Sequence, residues 1–134
     1  MVDVARVTQA VFAPAFLLIG LSHALQPERW VAFFRVVKGT GVAGFIVAMF
    51  TLPVSLPLLV LHNKWVWDWS LFLTVAGWGM TIKSSLYALW PQFADRMLEK
   101  KMAQSPAGFR VAGIAMTALA AVLVWQVRDL YVPQ

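Results

Sequence analysis

One lysine stands where a lysine is costly. Lys83 lies fourteen residues after Trp69 and eight before Pro91, in a stretch otherwise free of charge. A central ammonium in a membrane helix costs on the order of 2.5 to 3.5 kcal/mol by insertion scales. On a helix it shares a face with Gly79 at i−4, Tyr87 at i+4 and Trp90 at i+7, with Ser84 adjacent. One reading is a polar pocket in which Lys83 anchors an anionic headgroup or a carboxylate, with Tyr87, Ser84 and, from the first apolar run, His23 around it. The other is a snorkelling lysine whose long stem carries the charge to the interface.

A second group sits on a short turn, His62-Asn63-Lys64-Trp65-Val66-Trp67-Asp68. His62, Asn63, Asp68 and Trp65 are candidates for a recognition site outside the membrane. The same residues also fit a helix end, because Asn63 tolerates the left-handed C-terminal conformation while His62 and Lys64 complement the helix dipole. His23 and His62 fall at opposite ends of their spans, the chain has no Cys, and no acid lies inside an apolar run, so no metal site is expected. Paired carboxylates, Ser-His-Asp or Cys-His sets and phosphate loops are all missing at membrane depth, which argues against an enzyme. Gly39-Thr40-Gly41-Val42-Ala43-Gly44 spells a dinucleotide fingerprint, but no strand precedes it. No cofactor follows from these motifs; a lipid or a quinone is what an apolar bundle would hold.

The elements that must position these residues follow from composition. The 134 residues are 60% apolar and 13% charged, against roughly 25% charged in soluble domains. A chain this small would expose more apolar surface than its core could hide. Lipid is therefore the expected solvent. Since about 20 apolar residues cross a bilayer core, the charge-poor intervals predict an all-α membrane protein of four transmembrane helices, about 7–27, 39–63, 69–93 and 111–127. The first interval is read as a span rather than a secretory signal, because Asp3 cancels Arg6 ahead of it. Between the spans, 28–38 and 92–104 carry the i, i+3, i+4 apolar stripes of interfacial helices: Trp30, Phe33, Phe34 and Val37 in one, Ala94, Met97, Leu98 and Met102 in the other.

The net charge of +5 does not indicate nucleic acid, because the charges lie between apolar runs. Arg29, Arg35, Lys38, Arg96, Lys100, Lys101 and Arg110 all fall on the two long linkers, Glu28 to Lys38 and Gln92 to Arg110. By the positive-inside rule these face the cytoplasm, leaving both termini and the Trp-rich turn outside, as in a bacterial inner membrane. Small residues at Gly113, Thr117 and Ala121 form an i, i+4, i+8 packing ridge. Pro53 and Pro57 are expected to kink the second span.

The chain also looks duplicated. Aligning Pro27 with Pro91 sets His23-Ala24-Leu25-Gln26-Pro27 over Tyr87-Ala88-Leu89-Trp90-Pro91, and Val42-Ala43-Gly44 matches Val111-Ala112-Gly113 farther on. This predicts two tandem units of helix, interfacial helix and helix.

The stretch from Leu61-His62-Asn63-Lys64-Trp65-Val66-Trp67-Asp68-Trp69 through Thr74-Val75-Ala76-Gly77-Trp78 and Lys83 to Pro91 resembles small four-span bacterial membrane proteins, a group that carries no established activity. The resemblance covers roughly residues 15–93 and marks His62, Asn63, Trp78 and Lys83, while the last span departs into generic Ala-Leu-Val sequence. Together these readings predict a non-enzymatic small integral membrane protein. It would act as an accessory subunit of a larger membrane complex or as a self-associating homo-oligomer, packing membrane lipids, a hydrophobic cofactor or partner subunits. The alternative is a small oligomeric transporter or channel for an anionic or amphipathic molecule that uses Lys83.

Overall fold

The structure, a computed structural model, describes residues 3–103 and 105–132, apart from the side chain of Met102. Six α-helices follow one another: α1 (Val4–Leu25), α2 (Pro27–Gly39), α3 (Ala43–Leu61), α4 (Leu71–Leu89), α5 (Pro91–Ala103) and α6 (Pro106–Gln126), with a short 3-10 turn over Arg128–Leu130.

Local chemistry sets the boundaries. α1 begins earlier than the apolar run because the Asp3 carboxylate caps it, accepting from the Ala5 and Arg6 amides at 3.1 and 3.3 Å. α1 and α4 stop just before Pro27 and Pro91, whose rings and missing N–H cannot continue a helix but suit the first position of the next. Gly41, at φ 75°, breaks the chain between α2 and α3 in a conformation that favours glycine. α6 starts at Pro106 and takes in Arg110, so the helix extends beyond its apolar interval. The two prolines of α3 sit within one continuous helix, Ala43–Leu61. Of the expected α5 stripe, Ala94 and Leu98 are buried, and Met102 lies outside the described side chains.

The expectation of four transmembrane helices needs correction. Among the described residues, three helices are long and apolar enough to cross a membrane: α1, α3 and α6. α4 matches α3 in length at 19 residues, but Lys83, with Thr74, Thr81, Ser84, Ser85 and Tyr87, dilutes its apolar character. Counting charges overlooked this, since neutral polar residues lower hydropathy without interrupting a charge-free run. The all-helical class and the presence of membrane-capable helices stand, as a membrane protein requires. Leu18, Phe50, Val60 and Val111 on those three helices point outward, each more than two-thirds exposed, a surface suited to lipid rather than water.

The long helices form two antiparallel pairs. In α1/α6 the start of one helix meets the end of the other: the Gln9 amide donates to Leu123 O and to Gln126 Oε1 at 3.1 and 3.0 Å. A methyl at Gly113 would overlap Ala24 N and stand 2.7 Å from Gly20 O, so the two backbones touch there. Gly113 and Thr117 of the small-residue ridge are therefore used within the chain. In α3/α4, a hairpin, a methyl at Gly77 would come 3.1 Å from Leu59 N, and one at Gly44 would press on Ala94 and the Tyr87 carbonyl. One apolar cluster, with Ala13, Phe16, Leu58, Leu73, Ala120 and Leu123, joins the two pairs. A second, of Val37, Ala43, Ala48, Tyr87, Ala94 and Leu98, seats α2 and α5 against α3 and α4, and Lys38 Nζ bridges α2 to α5 by donating to Glu99 Oε1 at 2.6 Å.

Candidate functional site

At the end of the bundle where α4 runs into α5, a groove of about 460 Å³ is lined by Gly79, Ile82, Lys83, Leu86, Tyr87, Phe93, Met97, Lys100 and Lys101. The Pro91 turn folds α5 back so that Phe93 and Met97 supply an apolar wall. Tyr87 is buried and meets Phe93 edge-on at 6.0 Å between centroids. Lys83 Nζ lies 5.8 Å from the centre of the Tyr87 ring, and Lys101 Nζ lies 5.7 Å from that of Phe109, both within cation–π range. Three ammonium groups thus border one apolar groove.

Of the residues expected around Lys83, Tyr87 is in the groove, whereas Ser84 and His23 are not. Ser84 is fully buried with its hydroxyl unpartnered among the described residues. The His23 ring stacks on Trp30 at 3.8 Å and on Phe109 at 6.0 Å. Its Nδ1 is 2.8 Å from Ile19 O, a contact in which the ring nitrogen must donate. Lys100 and Lys101 were legible only as interfacial charge, because a linear sequence does not say which side of α5 meets α4.

A second cavity, of about 320 Å³, opens near both chain ends and is polar: Asp3, Arg6, Gln9, His62, Lys64, Asp68, Ser70 and Gln126 contribute to its walls. His62 caps α3 and is buried, as are Gln9 and Ser70. The Thr74 hydroxyl organises this end. It accepts from the Lys64 amide at 3.2 Å and lies 2.8 Å from Lys64 O, 3.1 Å from His62 O and 3.2 Å from His62 Nδ1. A hydroxyl has one hydrogen. Assigned to the nearest carbonyl, that hydrogen makes His62 Nδ1 the donor to Thr74 and leaves Nε2 as an acceptor. Burial pushes the His62 pKa below its ordinary value, so the ring is neutral at neutral pH.

The remaining turn residues take separate parts. Asn63 Oδ1 accepts from the indoles of Trp65 and Trp78 at 2.9 and 3.2 Å, clamping the turn to α4. Asp68 Oδ1 accepts from the Ser70 hydroxyl and amide at 2.6 and 2.7 Å, and the hydroxyl bond holds this carboxyl below its usual range. Asp3 is lowered too, first by the hydrogen bond from Lys64. His62 and Asp68 share the cavity; Asn63 and Trp65 lie outside its lining. Sequence reasoning missed Gln9, Gln126, Thr74 and Arg6. The available signal was the Thr8-Gln9 pair inside the first apolar run, where an amide needs a partner. Among the described residues no three His, Asp or Glu side chains gather as a metal set.

Comparison with protein-family models, with curated proteins and with solved structures returns no match.

Proposed function

We propose that this chain is a non-enzymatic protein of the bacterial inner membrane that binds an anionic amphiphile, a molecule with a phosphate or carboxylate head and an apolar tail. The observation carrying this reading is the α4/α5 groove, where Lys83, Lys100 and Lys101 border walls of Ile82, Leu86, Phe93 and Met97. Ammonium groups beside apolar walls match a charged head joined to a hydrocarbon tail. The position of the lysines fits the inner interface, where basic residues meet anionic lipid. Snorkelling explains a charged tip at an interface, but not the groove that the tip borders.

The test is native mass spectrometry of the full chain reconstituted with phosphatidylglycerol and phosphatidylcholine in equal amounts. Wild type is expected to retain phosphatidylglycerol selectively, and Lys83→Met, with Lys101→Met beside it, to reduce that retention about tenfold, or about 1.4 kcal/mol. Equal retention of the two lipids by wild type overturns the reading.

A further inference from the structure

The polar cavity at the opposite end from the groove holds a different chemistry. Its cations are already engaged: Arg6 Nη2 donates to Asp129 Oδ1 at 2.7 Å and to Gln126 O at 3.4 Å, and Lys64 Nζ donates to Asp3 Oδ2 at 3.2 Å. Among the described residues this leaves Asp68, the other carboxylate of the lining, without an ion-pair partner. The neutral groups are biased the same way. Both hydrogens of the Gln9 amide are committed, to Leu123 O and Gln126 Oε1, so its Oε1 is what remains to offer a ligand. With the Thr74 hydrogen placed on Lys64 O, His62 Nδ1 is the donor to Thr74 and the ring presents Nε2 as an acceptor. The second carboxylate oxygen of Asp68 is likewise free of the Ser70 bonds, which fall on Oδ1.

We infer that this cavity is a binding site for a small primary ammonium ion, held by His62 Nε2, Gln9 Oε1 and the Asp68 carboxylate. A primary ammonium brings three N–H donors and one positive charge, matching three acceptors of which one is the unpaired Asp68 carboxylate. A metal cation fits less well, since no three-residue His/Asp/Glu set forms among the described residues. An anion would meet Arg6 and Lys64 with their charges already paired to Asp129 and Asp3. Two of the three acceptor residues, His62 and Gln9, are buried, so the bonds to these two form away from bulk water, where they are strongest.

The sequence contains two histidines, which gives a direct readout. Full-length protein labelled with ¹⁵N-histidine is placed in phosphatidylcholine nanodiscs, whose headgroup has no N–H to compete, and titrated with ethylammonium chloride at pH 8. The expected result is a saturable shift of the His62 Nε2 resonance with His23 unmoved, the two being assigned with His23→Gln. Tetramethylammonium, equal in charge but without N–H, is expected to leave both rings unchanged. Gln9→Leu is expected to weaken ethylammonium binding at least tenfold, and Asp68→Asn, on the exposed turn, gives the same decision if Gln9→Leu does not fold. No saturable shift, an equal response to tetramethylammonium, or unchanged affinity in Asp68→Asn would each overturn the assignment. None of these outcomes bears on the α4/α5 groove.

Discussion

The two helix pairs are held together in opposite ways. α3 and α4 are consecutive, so a short turn keeps them adjacent and Thr74 pins that turn to the helices on both sides. α1 and α6 are separated in the chain by α2 to α5. Closing that longer loop costs more chain entropy, and no turn supplies it. Contact itself must do so: backbones touching at Gly20 and Gly113, and the Gln9 amide reaching Leu123 and Gln126. A local pair tolerates looser packing, whereas a distant pair depends on it.

The largest expected effect tests that difference directly. Gly113→Ala puts a methyl against the Ala24 and Gly20 backbone, which cannot give way as a side chain can, and should cost about 3 kcal/mol of overpacking. Gly77→Ala meets Leu59 at 3.1 Å and gains helix propensity, leaving a net cost of about 1 kcal/mol or less. Unfolding of both variants in mixed detergent micelles gives the two values; equal costs would break the contrast.

Next come the hydroxyls. Thr74→Val strands the buried His62 ring and the Lys64 amide, for about 2 kcal/mol. Thr117→Val loses a bond to the Gly113 carbonyl of its own helix, 2.7 Å away, and should cost less than about 1 kcal/mol. If Thr117 proves the more sensitive, the hairpin is not stapled as described.

A pH scan separates the pairs more gently. The folded His62 pKa is lowered by burial below the unfolded value of 6.5, so the unfolded chain binds more protons in that interval. Stability is then fully present above 6.5 and falls as pH drops from there toward the folded value. The loss should vanish in His62→Gln when thermal unfolding is followed between pH 7.5 and 5, while Asp3 and Asp68, also lowered, act only near and below 3.8.

The smallest effect is expected from Asp129→Asn. The Arg6–Asp129 pair is 2.7 Å long but nearly half exposed on each side, so its loss should cost at most about 1 kcal/mol and fade further with salt.

Much of the helix plan was legible in the residues. Pro27 and Pro91 marked the ends of α1 and α4, and the apolar stripes marked α2 and α5, because these are local rules. What the sequence could not convey was partnership. Nothing in Gln9 or Gln126 points to the other across the length of the chain, and nothing in Lys100 or Lys101 points to Lys83. The excess of one predicted span came from Ser84, Thr81 and their neighbours, whose polarity escapes a search for charge. Lys83 and Tyr87, which line the groove, and His62 and Asp68, which line the polar cavity, were singled out in the sequence by the cost or type of the residue. His23 was grouped with Lys83 by depth and by its alignment with Tyr87, whereas its ring stacks on Trp30 and Phe109.

The pairing of α1 with α6 also orders events in time. α1 is made before α6, so while α2 to α5 are being made the Gln9 amide has neither Leu123 nor Gln126 to bond, and Gly20 lacks the Gly113 backbone it packs against. Assembly therefore includes an interval in which α1 depends on whatever surrounds it, water at the interface or another protein, to cover the amide that α6 will later satisfy.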